Sequence, residues 1–417
     1  MSAKYLQQFK NEDWIATILG LVLVSAIILF SSRIPALPKD LSTTVAWWAI
    51  GGLFLISLLF SAVGVKLLGE SLKGFIPAFL AIFAFSVFAF YLTTIPAIKT
   101  TKIETVFFAV AIGLIIRNTI GLPKWLSAAV KSEYYIKIGL VLLGTSVLFG
   151  EIMKAGALGL LQAVVVVFAV WYFAFWLTRK LKVDKEIGIM LASAVSICGV
   201  SAAIATCGAI KGDSKKLSFV ISLVLVVAIP MMYLMPLAAK WIGLSQEVSG
   251  AWLGGTIDTT GAVVASGKFL GEVAEKYSVI IKSSQNVLLG VAAFIISIYW
   301  SLRGTNQQER PTAGVIWERF PKFVLGFILA SLIFSFLIPA EQAKPLGDIA
   351  KGLREIMFSI AFICIGLETD FRFIFSKENS RNIWAFLGAQ GFNIIITLGV
   401  AYLLFNVLTG EGGTPIA

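Results

Sequence analysis

Histidine is absent from this chain, and charge is scarce: 14% of the 417 residues are Asp, Glu, Lys or Arg, against about 25% in an ordinary soluble domain. Without imidazole, catalysis or metal binding that depends on it is excluded. The shortage of charge, set beside a hydrophobic content of 58%, excludes a soluble enzyme. Cysteine is sparse too. Cys198, Cys207 and Cys364 all fall within apolar runs, which leaves no disulfide framework and reads as small buried side chains. Acidic residues are outnumbered by basic ones, giving a net charge of +11. The basic residues lie between apolar runs rather than in one patch. Retention of Lys and Arg on the cytoplasmic side of a membrane explains them, and no nucleic-acid partner is called for.

What the chain has in quantity is long apolar runs. Residues 14–30, 44–63, 75–92, 105–120, 135–149, 157–177, 187–210, 217–240, 249–267, 279–300, 323–338, 353–367 and 383–405 are candidate membrane segments, many reaching the about 17–25 residues of a spanning helix. The largest polar stretch, 301–321, is loop-sized. The first run follows Lys4 and Lys10 like a signal peptide, but it is long and no A-x-A site follows, so it reads as an uncleaved first span. The sequence thus predicts an all-α polytopic membrane protein with about eleven full spans plus two broken or re-entrant helices. Its partner is the lipid bilayer, its place the inner or plasma membrane of the cell, and its N-terminus is cytoplasmic. Residues 1–103 carry three motif-free spans, read as peripheral scaffold or as contact in a homo-oligomer. Residues 104–417 form the core.

Two segments depart from simple spans. Residues 187–210 read IGIMLASAVSICGVSAAIATCGAI and residues 249–267 read SGAWLGGTIDTTGAVVASG. Small residues let helices pack closely. Gly with hydroxyl residues also marks places where a membrane helix unwinds around a cavity. The second segment holds Asp258, and ionisable residues at membrane depth are functional by default. Placing the N-terminus inside and letting both segments turn back puts the larger share of Lys and Arg in the cytoplasm; letting both cross lessens that excess. An internal echo relates residues 138–149 to 360–371, with Gly144 opposite Gly366. In the charge-based topology the two copies run in opposite directions, the pattern of an inverted-repeat transporter.

The run Ser196-Ile-Cys-Gly-Val-Ser-Ala202, the later GGTIDTTGAVVASG at 254–267 and IKSSQNVLLG at 281–290 resemble the YeiH-type family of proposed sulfate exporters. GLIIRNTIGLP at 113–123 and GLVLLGTS at 139–146 fit as well. The resemblance covers residues 105–405. It implies an inverted-repeat carrier with discontinuous helices at the substrate site. Relatives carry His-Asp where this chain has Asp258-Thr259, and Arg where it has Gln285. That exchange removes a bidentate partner for a doubly charged oxyanion.

The expected site gathers Ser196, Cys198, Gly199 and Ser201 at the first break and Gly255, Thr256, Thr259, Thr260 and Gly261 at the second. Half-helix N-termini suit anions because backbone N–H groups and the helix dipole point to one spot. Asp258 and Lys282 are the expected coupling pair, with snorkelling to the interface as the alternative for Lys282. Gln285, Asn286, Gln390 and Asn393 read equally as interhelical hydrogen-bonding groups and as substrate contacts. The expected function is secondary transport of a small anion by alternating access. The alternatives are a Na⁺- or H⁺-coupled carrier of an organic anion or neutral solute, and a structural or receptor protein. No enzyme is expected, because a lone Asp without His activates Ser201 poorly, and no resident metal or cofactor is implied beyond a coupling ion.

Overall fold

The computed structural model describes residues 11–95, 98, 105–210, 212–303, 317, 320–371, 379–408 and 414–415. The expectations for Lys4, Lys10 and most of the basic loops near 304–319 and 372–378 lie outside the described residues. In chain order the helices are α1 (Glu12–Phe30), α2 (Thr44–Leu67), α3 (Leu72–Thr94), α4 (Thr105–Thr119) and α5 (Ser132–Leu143). Then come α6 (Phe149–Lys180), α7 (Lys185–Ser196), α8 (Val200–Ile210), α9 (Ser214–Ile242), α10 (Gln246–Thr256) and α11 (Thr260–Leu270). The last are α12 (Glu272–Arg303), α13 (Lys322–Leu332), α14 (Ala340–Glu368) and α15 (Ser380–Tyr402). The chain is a polytopic helical membrane protein. Among the described residues seven helices are long and apolar enough to cross a membrane, and 105–119, 200–210 and 322–337 are shorter apolar helices.

Two compact units divide the chain. The first holds residues 1–152 and 321–369, the second 153–320 and 370–417. In the first unit, α14 packs on α4 and α5, and α13 packs on α1 and α5. The two glycines of the internal echo are packing glycines here. A methyl group on Gly113 of α4 would lie 2.8 Å from the Gly366 Cα of α14, and Gly144 abuts the Phe327 carbonyl of α13. The Lys137 ammonium pairs with Glu12 at 3.0 Å and Asp13 at 3.2 Å in the first turn of α1. Glu368, at the end of α14, accepts a 2.7 Å hydrogen bond from the Ser132 hydroxyl.

One boundary differs from the sequence expectation. Residues 135–149 do not form a single segment. The helix stops at Leu143, a tight turn covers Gly144–Ser146, and α6 starts at Phe149 and runs 32 residues. Hydroxyls on the neighbouring α13 region make this break affordable to the backbone: Ser331 donates to the Val147 carbonyl and Ser335 accepts from the Phe149 N–H. Hydropathy alone does not reveal such a break, because every residue around it is apolar or small.

Candidate functional site

All the residues expected at the site lie in the second unit, on two helix pairs and their tips, with Lys282 on α12. Asp184 caps the start of α7, its Oδ1 accepting from the N–H groups of Glu186 (3.0 Å) and Ile187 (3.2 Å). Just after α8, Asp213 caps α9 in the same way. These two ends of the α7–α8 segment are clasped together. Lys216 reaches Asp184 at 2.9 Å and Glu186 at 3.3 Å, and the Asp213 N–H donates to Glu186 at 3.2 Å. Burial alone would raise the Asp184 carboxyl, but the hydrogen bonds from Lys216, Ile187 and Glu186 outweigh it and hold the group below the ordinary aspartate value. The segment therefore goes in and comes back: α7 and α8 are the arms of a re-entrant hairpin.

The α10–α11 segment closes in the same fashion. Ser245 caps α10, and Gln246 accepts from the Ala274 N–H at 3.3 Å, just beyond the end of α11. Gly271, at φ +135°, lies against the Gln246 side chain. The two hairpins start at opposite ends of α9, whose 29 residues span about 43 Å. Each arm has 11 or 12 residues, about 16–18 Å, roughly half of the ~30 Å hydrocarbon core. The hairpins enter from opposite ends and meet tip to tip.

The tips are Ile197-Cys198-Gly199 and Ile257-Asp258-Thr259. Gly199 sits at φ +61°, a left-handed conformation that favours glycine. A methyl group there would lie 2.8 Å from Val224 Cγ1 and 3.1 Å from Asp258 Cβ, so the backbone of one tip rests on the side chain of the other. Thr259 caps α11, its hydroxyl accepting from the Ala262 N–H at 3.4 Å.

A helix that stops inside a membrane leaves carbonyls without partners, and here side chains from α12 and α15 supply them. Gln285 donates to both the Ser196 carbonyl (2.8 Å) and the Gly255 carbonyl (3.2 Å). Asn393 donates to the Val195 carbonyl (3.1 Å) and the Thr256 carbonyl (3.2 Å), its own oxygen fixed by Thr397 at 2.7 Å. Each of these amides ties the carbonyl end of one hairpin to that of the other. Gln390 adds a 2.9 Å bond to the Thr256 carbonyl. Lys282 is 1% exposed and turned inward, donating to the Ile197 carbonyl at 2.7 Å and to Gln285 at 2.9 Å. Snorkelling is thus overturned for Lys282.

The other expected residues sort by what they touch. Ser196 donates to the Ser193 carbonyl, and Gly255 is a packing glycine whose missing methyl leaves room for Gln162 and Thr397. Cys198 is a buried thiol, outside any disulfide, in the first tip, and Ser201 is half-buried in the first turn of α8. Gly261 is buried in the first turn of α11. The Thr260 hydroxyl accepts from Asn286 at 3.4 Å, while the Thr256 hydroxyl has no partner among the described residues. Asp258 is 1% exposed, and neither carboxylate oxygen has a hydrogen-bond partner among the described residues. Gln162, which sequence reasoning missed, donates to the Ala251 carbonyl at 2.8 Å. Its signal was a single amide within the run LLQAVVVV.

The family model described as Conserved hypothetical protein 698 matches residues 77–384. The chain is 38% identical over 381 residues to a UPF0324 membrane protein of Rhodopirellula baltica, covering 89% of this chain and 70% of that protein. It is 39% identical over 366 residues to a UPF0324 membrane protein of Nitratidesulfovibrio vulgaris, covering 85% of this chain and 63% of that protein, which is therefore a good deal longer. A UPF0324 membrane protein of Nitrosomonas europaea is 33% identical over 334 residues, covering 71% of this chain and 67% of that protein. No solved structure matches the chain.

Proposed function

The chain belongs to the UPF0324 membrane protein family, the YeiH-type family its motifs resemble, and we propose that it is a secondary transporter of a small anion. One observation carries this reading: two re-entrant hairpins of opposite direction meet at Gly199 and Asp258 with their carbonyl ends already occupied by Gln285, Asn393, Gln390 and Lys282. With the carbonyls taken, what the tips offer a solute is the amide ends of α8 and α11, the hydroxyls of Ser201 and Thr260, and the Lys282 ammonium. That set favours a negative group. Alternating access exposes this shared point first to one side of the membrane and then to the other. The protein acts as a carrier and not an enzyme, in the plasma membrane, with its N-terminus in the cytoplasm.

Asp258 makes the reading specific. A bare carboxylate beside a bound anion repels it, so a doubly charged oxyanion such as sulfate fits poorly unless the carboxylate is neutralised first. Binding of H⁺ or Na⁺ at Asp258 supplies that neutralisation and couples the solute to an ion gradient. The same unpartnered carboxylate supports a second reading, a Na⁺- or H⁺-coupled carrier of an organic anion or neutral solute. Purified protein in proteoliposomes, tested with a panel of labelled anions and organic solutes under imposed pH and Na⁺ gradients, checks both. A small anion accumulating only under a gradient is the expected result. Flux of organic or neutral solutes alone favours the second reading, and absence of any flux from correctly inserted protein contradicts both.

A further inference from the structure

An apolar groove on the second unit, separate from the hairpin tips, carries a further inference. Its volume is about 260 Å³, and it lies between α6, α7 and α12. Phe168, Trp171 and Phe175 line one wall, Val291, Ile295 and Tyr299 the other. Trp171 turns its only polar atom away, donating to the Ser193 hydroxyl at 3.2 Å, and its ring stacks on Phe175 with centroids 5.1 Å apart. Phe168, Val291 and Ile295 are exposed, so the groove opens toward the surface of the unit. In a membrane that surface is in contact with lipid.

The ends of the groove differ. Gly159 of α6 packs on Ile281 and Ser284 of α12, and the groove follows further along both helices. The two helices therefore run in the same direction, and their C-terminal ends lie on one side. There α6 presents Arg179 and Lys180, both exposed. The Arg179 guanidinium sits 5.8 Å over the Phe175 ring at the mouth of the groove, and the Lys180 ammonium 4.9 Å over the ring of exposed Trp176. Neither forms an ion pair among the described residues. Trp176 and Tyr172 are exposed one and two turns below, the placement of aromatic side chains at a headgroup boundary.

We propose that this groove is a specific site for one anionic phospholipid, an acyl chain lying between α6 and α12 and the phosphate held by Arg179 and Lys180. The apolar walls select a hydrocarbon chain, and the two cations at one end select a negative headgroup over a zwitterionic one. Lipid occupancy would brace α6, which supplies Gln162 to α10, against the helix that supplies Lys282 and Gln285. The inference stands independently of what the hairpins transport.

Native mass spectrometry of the purified protein with equal amounts of phosphatidylglycerol and phosphatidylcholine tests it. Wild-type protein is expected to retain one phosphatidylglycerol in preference to phosphatidylcholine. The double variant Arg179→Gln/Lys180→Gln, altered only at exposed positions, is expected to lose that preference by about tenfold. Val291→Trp, which fills the groove, is expected to lose retention of both lipids. Equal retention of the two lipids by wild type, or unchanged phosphatidylglycerol retention in the charge variant, overturns the proposal. A Val291→Trp protein that keeps its phosphatidylglycerol also overturns it, and one that in addition loses a self-association shown by wild type in size-exclusion chromatography assigns the groove to a second copy of the chain instead.

Discussion

Asp258 and Gly199 share one contact, and it constrains both. A side chain at Gly199 meets two difficulties at once: a backbone at φ +61° and a Cβ 2.8 Å from Val224 and 3.1 Å from Asp258. Gly199→Ala should therefore destabilise the protein by about 1–3 kcal/mol, read as a lowered thermal midpoint in detergent. The same change at Gly399, inside α15 where a methyl group meets nothing within 4 Å, serves as the control and should be neutral or stabilising by up to about 1 kcal/mol. Equal midpoints for the two variants would mean that the tips do not touch. Asp258 was legible in the sequence because a carboxylate inside a run of Gly, Thr and Val has few structural explanations. The partners of Gln285 and Asn393 were not. Which carbonyls need capping depends on the residue at which each helix stops, and Ser196 and Thr256 look no more like helix ends than their neighbours do.

At the scale of elements, the clasp between Asp184 and Lys216 is what turns the first segment back on itself. Its pH dependence has a definite sign. The folded Asp184 carboxyl lies below its ordinary value, so its stabilising contribution is complete above the unfolded value of about 3.9. That contribution is lost as pH falls through the folded value. Protection from hydrogen exchange at the backbone of residues 185–196, taken relative to an unstructured peptide at the same pH, should fall below about pH 4. In Asp184→Asn that protection should already be lower at pH 7 and should change less with acid. The effect should be modest, because Asp184 is about half exposed and solvent screens the pair. Wild-type protection at these residues that stays constant from pH 6 to pH 3 would contradict the clasp. The sequence pointed to both hairpins through their small residues and through the side on which Lys and Arg gather. It did not reveal the early start of α6 at Phe149, where hydroxyls from Ser331 and Ser335, distant in sequence, satisfy the broken backbone.

The molecule as a whole follows from a composition that cannot make a water-soluble core surface. Once the chain is in a membrane, every backbone group must find a partner, and that requirement explains why lone Gln, Asn, Thr and Lys residues sit on otherwise apolar helices. They are placed where helices stop. In the second unit the stops come in pairs from opposite directions, and the carboxylate left over at their meeting point is Asp258. In the proposed function this carboxylate couples solute movement to an ion gradient. Asp258→Asn preserves size and hydrogen bonding while removing titration, and it lowers the cost of burial, so the variant should insert and fold. The deciding measurement is its solute flux in proteoliposomes beside wild type, across a range of pH and with and without Na⁺. Gradient-driven accumulation should fall by about tenfold or more, the loss of roughly 1.4 kcal/mol of coupling. Folded Asp258→Asn protein that accumulates the solute with the pH and Na⁺ dependence of wild type would contradict it.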